Sequence, residues 1–271
     1  MFIVMQIERT QREGVIGRFM DRLQRTAINE EKCEVMGGRY KLVRWRGASQ
    51  PDWIKLEQLC LQFRQRVLLP QNIVPPAGIV LEAPKLPNFK RMILVKTACE
   101  IAERSKLPIY RRIIGVVDDK GTLAYELPML LRYYSCVRVI SSELQLYIQE
   151  SERMMHELGA PVIVGGEINS LHDCMLVISE ETPEAVVRAP LLCTNNSLGG
   201  INCISSLQIA PPKAVLAACP EDISLQEFAG SLYEFSGVRE YNFAAGNMLC
   251  DYRYANLTEI VSTVCNRIEQ L

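Results

Sequence analysis

The residues of this chain best suited to chemistry stand together in one run, Val117-Asp118-Asp119-Lys120-Gly121-Thr122. The run follows the strand-like stretch IYRRIIGVV and leads into LAYELPMLLRYY, which reads as a helix kinked or shortened at Pro128. A strand-to-helix turn presents backbone N–H groups, to which Lys120 adds a cation and Thr122 a hydroxyl, a donor set suited to phosphate. Asp118 and Asp119 oppose an anion there by Coulomb repulsion and are themselves good helix caps, and Lys120 can pair with one of them. Ser141 and Ser142, which follow CVRVI, and Ser179, which ends CMLVIS, are the other polar groups expected at the same edge. A small molecule or a nucleotide is the ligand class this set suggests.

These residues need a scaffold, and the order of elements predicts one. From Leu107 the chain alternates strand and helix, with strands IYRRIIGVV, CVRVIS, PVIV and CMLVIS followed by two more at APLLCTN and KAVLAAC. Ser142 and Gln145 fit a capping box for a helix ending at Leu158, with Gly159 beyond it. Short apolar strands spaced by helices imply a parallel sheet, whose ligands bind at the carboxyl ends of its strands. The expected fold is therefore α/β, a Rossmann-like parallel sheet with helices on both faces. An N-terminal α/β region and C-terminal helices are expected outside it.

Residues 2–29 show a helical stripe, with Arg18, Arg22 and Arg25 on another face. KCEVMGGRYKLVRW is a hairpin turning at Gly37-Gly38, and a helix is predicted from Pro51 to Leu69. Five prolines between 70 and 87 make an extended connector, after which Asn88 opens a helix to Ser105. Capping boxes at Ser224/Glu227 and Asn256/Glu259 open two late helices, the first closed by Gly237 and the second running to Arg267. The division is 1–105, a basic N-terminal region; 106–220, the Rossmann-like domain; and 221–271, a helical segment packing back on the first. Charge follows it. Residues 1–105 carry 18 Lys and Arg against 11 Asp and Glu, a net of +7, and residues 106–271 carry 12 against 20, a net of −8.

The layout resembles the NAD(P)-dependent shikimate dehydrogenase and glutamyl-tRNA reductase group. There an N-terminal substrate domain precedes a Rossmann domain, and terminal helices pack back toward the first. MHELGAPVIVGGEINSLHDCMLVIS is similar to that group's third and fourth strands with their link, and the resemblance covers about residues 107–180. It implies NAD or NADP as cofactor and an oxidoreductase ancestry. The motifs depart from the group. Where a dinucleotide turn has G-x-G-x-x-G, Asp118 and Lys120 stand in place of the first two glycines, and only Gly121 is present. Ser141-Ser142-Glu143 replaces an Asn-Arg-Thr-like run, and Asn72-Ile73-Val74-Pro75-Pro76 lacks the group's lysine. The implied function is a divergent relative with an altered dinucleotide site, or else a non-catalytic module binding a nucleotide, an effector or a protein. DDKGTL also resembles the D-x-D-G-T-L motif of haloacid-dehalogenase-like phosphatases, which would make Asp118 a nucleophile and Thr194 its phosphate-binding hydroxyl. VVDD is similar to the first strand of a response-regulator receiver, but Gly165 and Ser179 stand where its phospho-accepting aspartate is needed.

Composition narrows the remaining classes. The ten cysteines include no C-x-x-C pair and the only histidines are His156 and His172, so no metal site is expected. Most of the cysteines lie in apolar runs, which suits buried thiols in a reducing, cytoplasmic setting. The longest apolar run, Ala214–Cys219, is far too short to span a membrane. His172-Asp173 and the Asn195–Gly200 loop are secondary candidates, for acid/base work and for a ligand turn. Arg39, Lys41, Arg44 and Arg46 alternate with Tyr40 and Trp45, but a solvated strand face fits them better than nucleic acid, which is not an expected partner. The aromatic tail from Tyr233 to Tyr254 fits inter-domain or subunit packing, which keeps a homo-oligomer among the expectations.

Overall fold

The computed structural model describes residues 1–9, 27–47, 51–64, 66–181, 183, 187–193, 203–235 and 243–269. The chain divides into two compact units, one formed by Met1–Phe89 with Pro211–Asn242 and the other by Lys90–Ala210 with Phe243–Leu271.

The larger unit carries the site. Its eight-stranded sheet has strands β5 (Ile113–Val117), β6 (Cys136–Ile140), β7 (Val162–Val164), β8 (Leu176–Ser179), β9 (Leu191–Cys193), β10 (Cys203–Ser205), β13 (Met248–Cys250) and β14 (Arg253–Ala255). They lie in the order β14-β13-β10-β9-β8-β5-β6-β7, while β11 (Ile209–Ala210) and β12 (Ala244–Ala245) pair antiparallel as a separate two-stranded sheet. From β7 to β10 every pairing is parallel, and β13 and β14 add antiparallel at the β10 edge. Counted from β5, the six parallel strands run 3-2-1-4-5-6, the doubly wound order, with the switch point between β5 and β8.

Alternate residues of these strands serve two cores. Ile114, Val116, Val137, Val139, Leu176 and Ile178 join Leu94 and Ala98 of a long helix (Pro87–Arg104), Tyr147 and Met154 of a second (Leu144–Leu158), and Ile260 and Val264 of a third (Leu257–Glu269). On the other face Val117, Val177 and Leu191 pack with Leu171, the last residue of a 3-10 helix over Ile168–Leu171, and with Ala189. The strands expected at IIGVV, CVRVI, VIV, LVIS and LLC and the helices over 87–104, 144–158 and 257–269 stand as the sequence predicted. Residues 109–111, however, are a 3-10 turn before the first strand, and the sixth parallel strand is Cys203–Ser205, not KAVLAAC. Local capping is mixed. Asn256 and Glu259 exchange N–H bonds as a reciprocal box, at 2.8 and 3.1 Å. The box expected at Ser142 does not form, because Glu143 takes the N-cap position and the Ser142 hydroxyl is used elsewhere. The first crossover is a 3-10 turn (Ala124–Glu126) and a single helical turn (Leu127–Leu130), with Pro128 at its start.

In the smaller unit, β1 (Phe2–Arg9), β2 (Ala27–Val35), β3 (Gly38–Gly47) and β4 (Val67–Leu68) form a sheet in the order β2-β3-β1-β4. One face packs Ile3, Met5, Val43 and Trp45 against Leu56 and Cys60. On the other, Phe2 stacks on Tyr40 at 5.7 Å, and Tyr40 meets Phe228 edge-on at 5.2 Å. Several expectations are corrected here. Residues 2–9 are a strand, because Phe2, Ile3, Val4 and Met5 are all fully buried in a central position, where a strand reads as a continuous apolar run. The arginine stripe at 18–25 lies outside the described residues. The hairpin turns at Met36-Gly37, with φ of 48° and 80°, one residue earlier than expected. The helix after Pro51 runs only over Trp53–Leu59, capped by the Asp52 carboxylate, and Val67–Leu68 completes the sheet. KAVLAAC is a helix (Lys213–Ala218) and not a strand, since Pro212 sets its start and, of its six residues, only Val215 is buried.

Candidate functional site

The switch point holds a cleft of about 390 Å³, lined by Val117, Asp118, Asp119, Lys120, Ile140, Ile168, Ser179, Glu180, Glu181 and Pro183. It opens at the carboxyl ends of β5, β6 and β8, where an open α/β sheet places its ligands. Four of the sequence-predicted residues, Asp118, Asp119, Lys120 and Ser179, therefore share one cleft. Gly121, Thr122, Ser141 and Ser142 adjoin it through hydrogen bonds and turn geometry.

Asp118 organises the loop. Only 6% exposed, its carboxylate accepts from the Leu123 N–H at 2.7 Å, the Tyr147 hydroxyl at 2.6 Å and the Lys120 N–H at 3.2 Å. Thr122 has one hydroxyl proton for two carboxylates, with Oγ1 3.2 Å from Asp118 Oδ1 and 2.9 Å from Glu180 Oε2. Burial, then the bond to Asp118 and that group's charge, push the Tyr147 phenol far above its ordinary range, so it stays a donor. Gly121 makes the turn with φ +69°, and a Cβ there would stand 2.8 Å from Leu146 Cδ2, so both backbone and space call for glycine.

The other strand ends tie into the same loop. Ser141 donates to the Asp118 carbonyl and accepts the Glu143 N–H, joining the turns after β5 and β6. Ser142 donates to Asp119 Oδ1 at 3.2 Å, and Ser179 donates to the Glu181 carbonyl. Lys120 binds Glu181, whose hydrogen bond and charge raise the lysine's pKa. Arg91 donates to Glu180 Oε1 at 2.8 Å.

Sequence reasoning missed Glu180, Glu181, Arg91 and the hydroxyl of Tyr147. The two glutamates directly follow a buried strand, which was a signal in the sequence. Arg91 and Tyr147 lie on helices where periodicity marks a face and says nothing of polar partners. Two other expectations change. His172-Asp173 leads into the amino end of β8, away from the ligand edge, and the two side chains serve different partners. His172 Nδ1 lies 2.9 Å from the Asn169 carbonyl, while Asp173 accepts from Arg138 through both oxygens. The hairpin cations are paired within their own sheet, Arg39 with Glu34, Lys41 with Glu30, Arg44 with Glu31 and Arg46 with Glu8. Thr194 and the Asn195–Gly200 loop lie outside the described residues.

A dinucleotide places its pyrophosphate against the N–H groups of a glycine-rich turn at the start of a helix. Here the N–H groups of Lys120 and Leu123 hold the Asp118 carboxylate, and the helix that follows is one turn long. The residues present do not fit a dinucleotide held in that way. Asp118 is equally ill placed as a nucleophile, since both of its oxygens are engaged and nearly buried. Among the described residues no group of three His, Cys, Asp or Glu side chains is arranged to hold a metal ion. Nor is any helix among them long and apolar enough to cross a membrane.

No family model matches the chain, and no curated protein matches it. Among solved structures, an archaeal alanine dehydrogenase dimer with bound NAD is similar at 10% identity and a TM-score of 0.27, over 58% of this chain and 50% of that one. The chain thus spans about half the length of that enzyme. L-tryptophan dehydrogenase from Nostoc punctiforme is similar at 10% identity and a TM-score of 0.31, over 99% and 88% of the two chains. Likenesses this faint carry no argument about activity, and the Rossmann-like architecture stands on the strand order itself.

Proposed function

We propose that this chain is a divergent Rossmann-fold relative of the NAD(P)-dependent oxidoreductases whose dinucleotide site has been altered, and that it binds a small ligand in the cleft at the switch point without using NAD or NADP. One observation carries the reading. The Asp118 carboxylate accepts the loop N–H groups that a pyrophosphate would otherwise accept, in a sheet of the dinucleotide-binding strand order. A fixed internal carboxylate excludes a pyrophosphate by competition for those donors and by like-charge repulsion in a poorly solvated place. Ancestry argued from strand order speaks to architecture, and the activity must follow from the site.

Thermal unfolding of the purified chain with NAD⁺, NADP⁺ and NADPH tests this. A ligand at 100 times its Kd adds about 2.7 kcal/mol, several degrees in Tm for a chain of this size. The expected result is no shift with any of the three. A shift confined to one dinucleotide would return the chain to the working oxidoreductases. Native mass spectrometry of the same sample should then reveal the mass of a small bound molecule.

A further inference from the structure

Glu180 and Glu181 directly follow β8 and bring two carboxylates to the cleft. Each holds a donor suited to something else. Glu180 accepts from Arg91 Nε at 2.8 Å and from Thr122 Oγ1 at 2.9 Å, and Glu181 is bound by Lys120 Nζ. A guanidinium, a hydroxyl and an ammonium are the groups that grip a phosphate. Here the first two meet at Glu180 and the third at the adjacent Glu181, and Lys120 is the one of the three that lines the cleft itself. The two ion pairs differ in strength. Arg91 and Glu180 are 20% and 23% exposed, while Lys120 and Glu181 are 66% and 65% exposed. An exposed pair contributes little and yields to a competing anion, whereas a half-buried one is held more firmly.

We propose that Glu180 and Glu181 are an internal anion seated on a phosphate site made by Lys120, Arg91 and Thr122, and that a phosphate-bearing ligand binds by displacing them. The inference rests on reading the cleft as the ligand site. It adds the chemical class of the ligand and the autoinhibitory contact that the ligand must break. Asp118 keeps the Lys120 and Leu123 N–H groups and the Tyr147 hydroxyl throughout, so the site takes a single phosphate beside the loop and not a pyrophosphate wrapped by it. The acids also set the selectivity. Asp118, Asp119, Glu180 and Glu181 face one lysine in the cleft lining, so a weak anion is turned away and a ligand must supply other contacts to enter.

The test is titration of the full chain with inorganic phosphate at constant ionic strength, comparing wild type with Glu180→Gln/Glu181→Gln by calorimetry and thermal unfolding. Phosphate is expected to bind the double variant at least about tenfold more tightly, from the loss of two like charges near the site. Adding Lys120→Ala should abolish the gain. Equal affinity in wild type and variant overturns the proposal, and so does a gain that survives Lys120→Ala. Glu180→Gln leaves a half-buried arginine without its carboxylate, so Glu181→Gln alone provides a second test. Its expected tightening is about threefold, and no tightening in a folded Glu181→Gln chain counts against the proposal. Dinucleotide titrations of the wild type keep the two readings apart. NAD binding to wild type sinks the proposed function while leaving the phosphate comparison intact. A folded variant silent to phosphate, beside a wild type silent to dinucleotides, sinks this inference alone.

Discussion

Asp118 is a buried charge whose hydration has been replaced by fixed donors, and such a group is costly to alter from either side. Asp118→Ala leaves the Leu123 N–H and the Tyr147 hydroxyl without an acceptor in a nearly closed place. A loss of about 3 kcal/mol is expected in urea denaturation, the sum of two orphaned donors and a small void. Tyr147→Phe removes one donor to a carboxylate that keeps others and should cost about 1.5 kcal/mol. The pair should show a coupling free energy in a double-mutant cycle, since each loss includes the other's partner. Independent, additive effects would mean that the 2.6 Å contact contributes little. The acids at the turn were legible in the sequence as caps and as a break in the glycine pattern. Their saturation was not, because the donors come from Tyr147 on a helix 29 residues later and from the folded turn itself.

Elements were legible wherever a local signal agreed with tertiary context. The Asn256/Glu259 box and the strand seeds at IIGVV, CVRVI and LVIS came through because capping and burial asked for the same thing. The misread elements are those where context outvoted pattern. FIVM, buried on both faces, has no alternation to betray a strand, and AVLAA looks buried but forms a helix with Leu216 57% exposed. A tight approach between elements is likewise invisible in sequence. Gly230, in the helix Leu225–Phe235, has Phe89 Cδ1 where a Cβ would fall, at 2.6 Å, and Leu86 Cδ1 at 2.7 Å. Gly230→Ala gains helix propensity of up to about 1 kcal/mol but must push those side chains aside. A net loss of about 2 kcal/mol is expected by chemical denaturation. A stabilised variant would show that Phe89 and Leu86 can shift freely.

Burial across the whole molecule sets the response to alkali expected of it. Burial pushes Cys99 and Cys174 up to about 12, and Cys60 and Cys219 up to about 11, from an ordinary value of 9.0. Burial likewise lifts Tyr134 and Tyr147. Between roughly pH 9 and 11 the unfolded chain has therefore lost protons that the folded chain keeps, and stability must fall as pH rises. The urea midpoint is expected to drop through that interval and to be flat between pH 7 and 8, where both states hold these protons. A midpoint unchanged up to pH 11 would contradict the burial of these groups. The same burial predicts that Cys60, Cys99 and Cys174 resist a thiol reagent at pH 8 until denaturant is added, because a nucleophilic thiolate is absent.

Each unit is assembled from two separated stretches of chain, 1–89 with 211–242 and 90–210 with 243–271. During synthesis this arrangement forces a delay. When Ala210 leaves the ribosome, the small unit still lacks the helix that supplies Phe228, and the large unit lacks β13, β14 and the helix that supplies Ile260 and Val264. Both cores then expose apolar faces whose covers have yet to be made, the condition under which nascent chains call on chaperones. Residues 211–271 finish both units almost together. Folding of both units thereby waits for residues 211–271, and a stop codon within that stretch damages two cores at once.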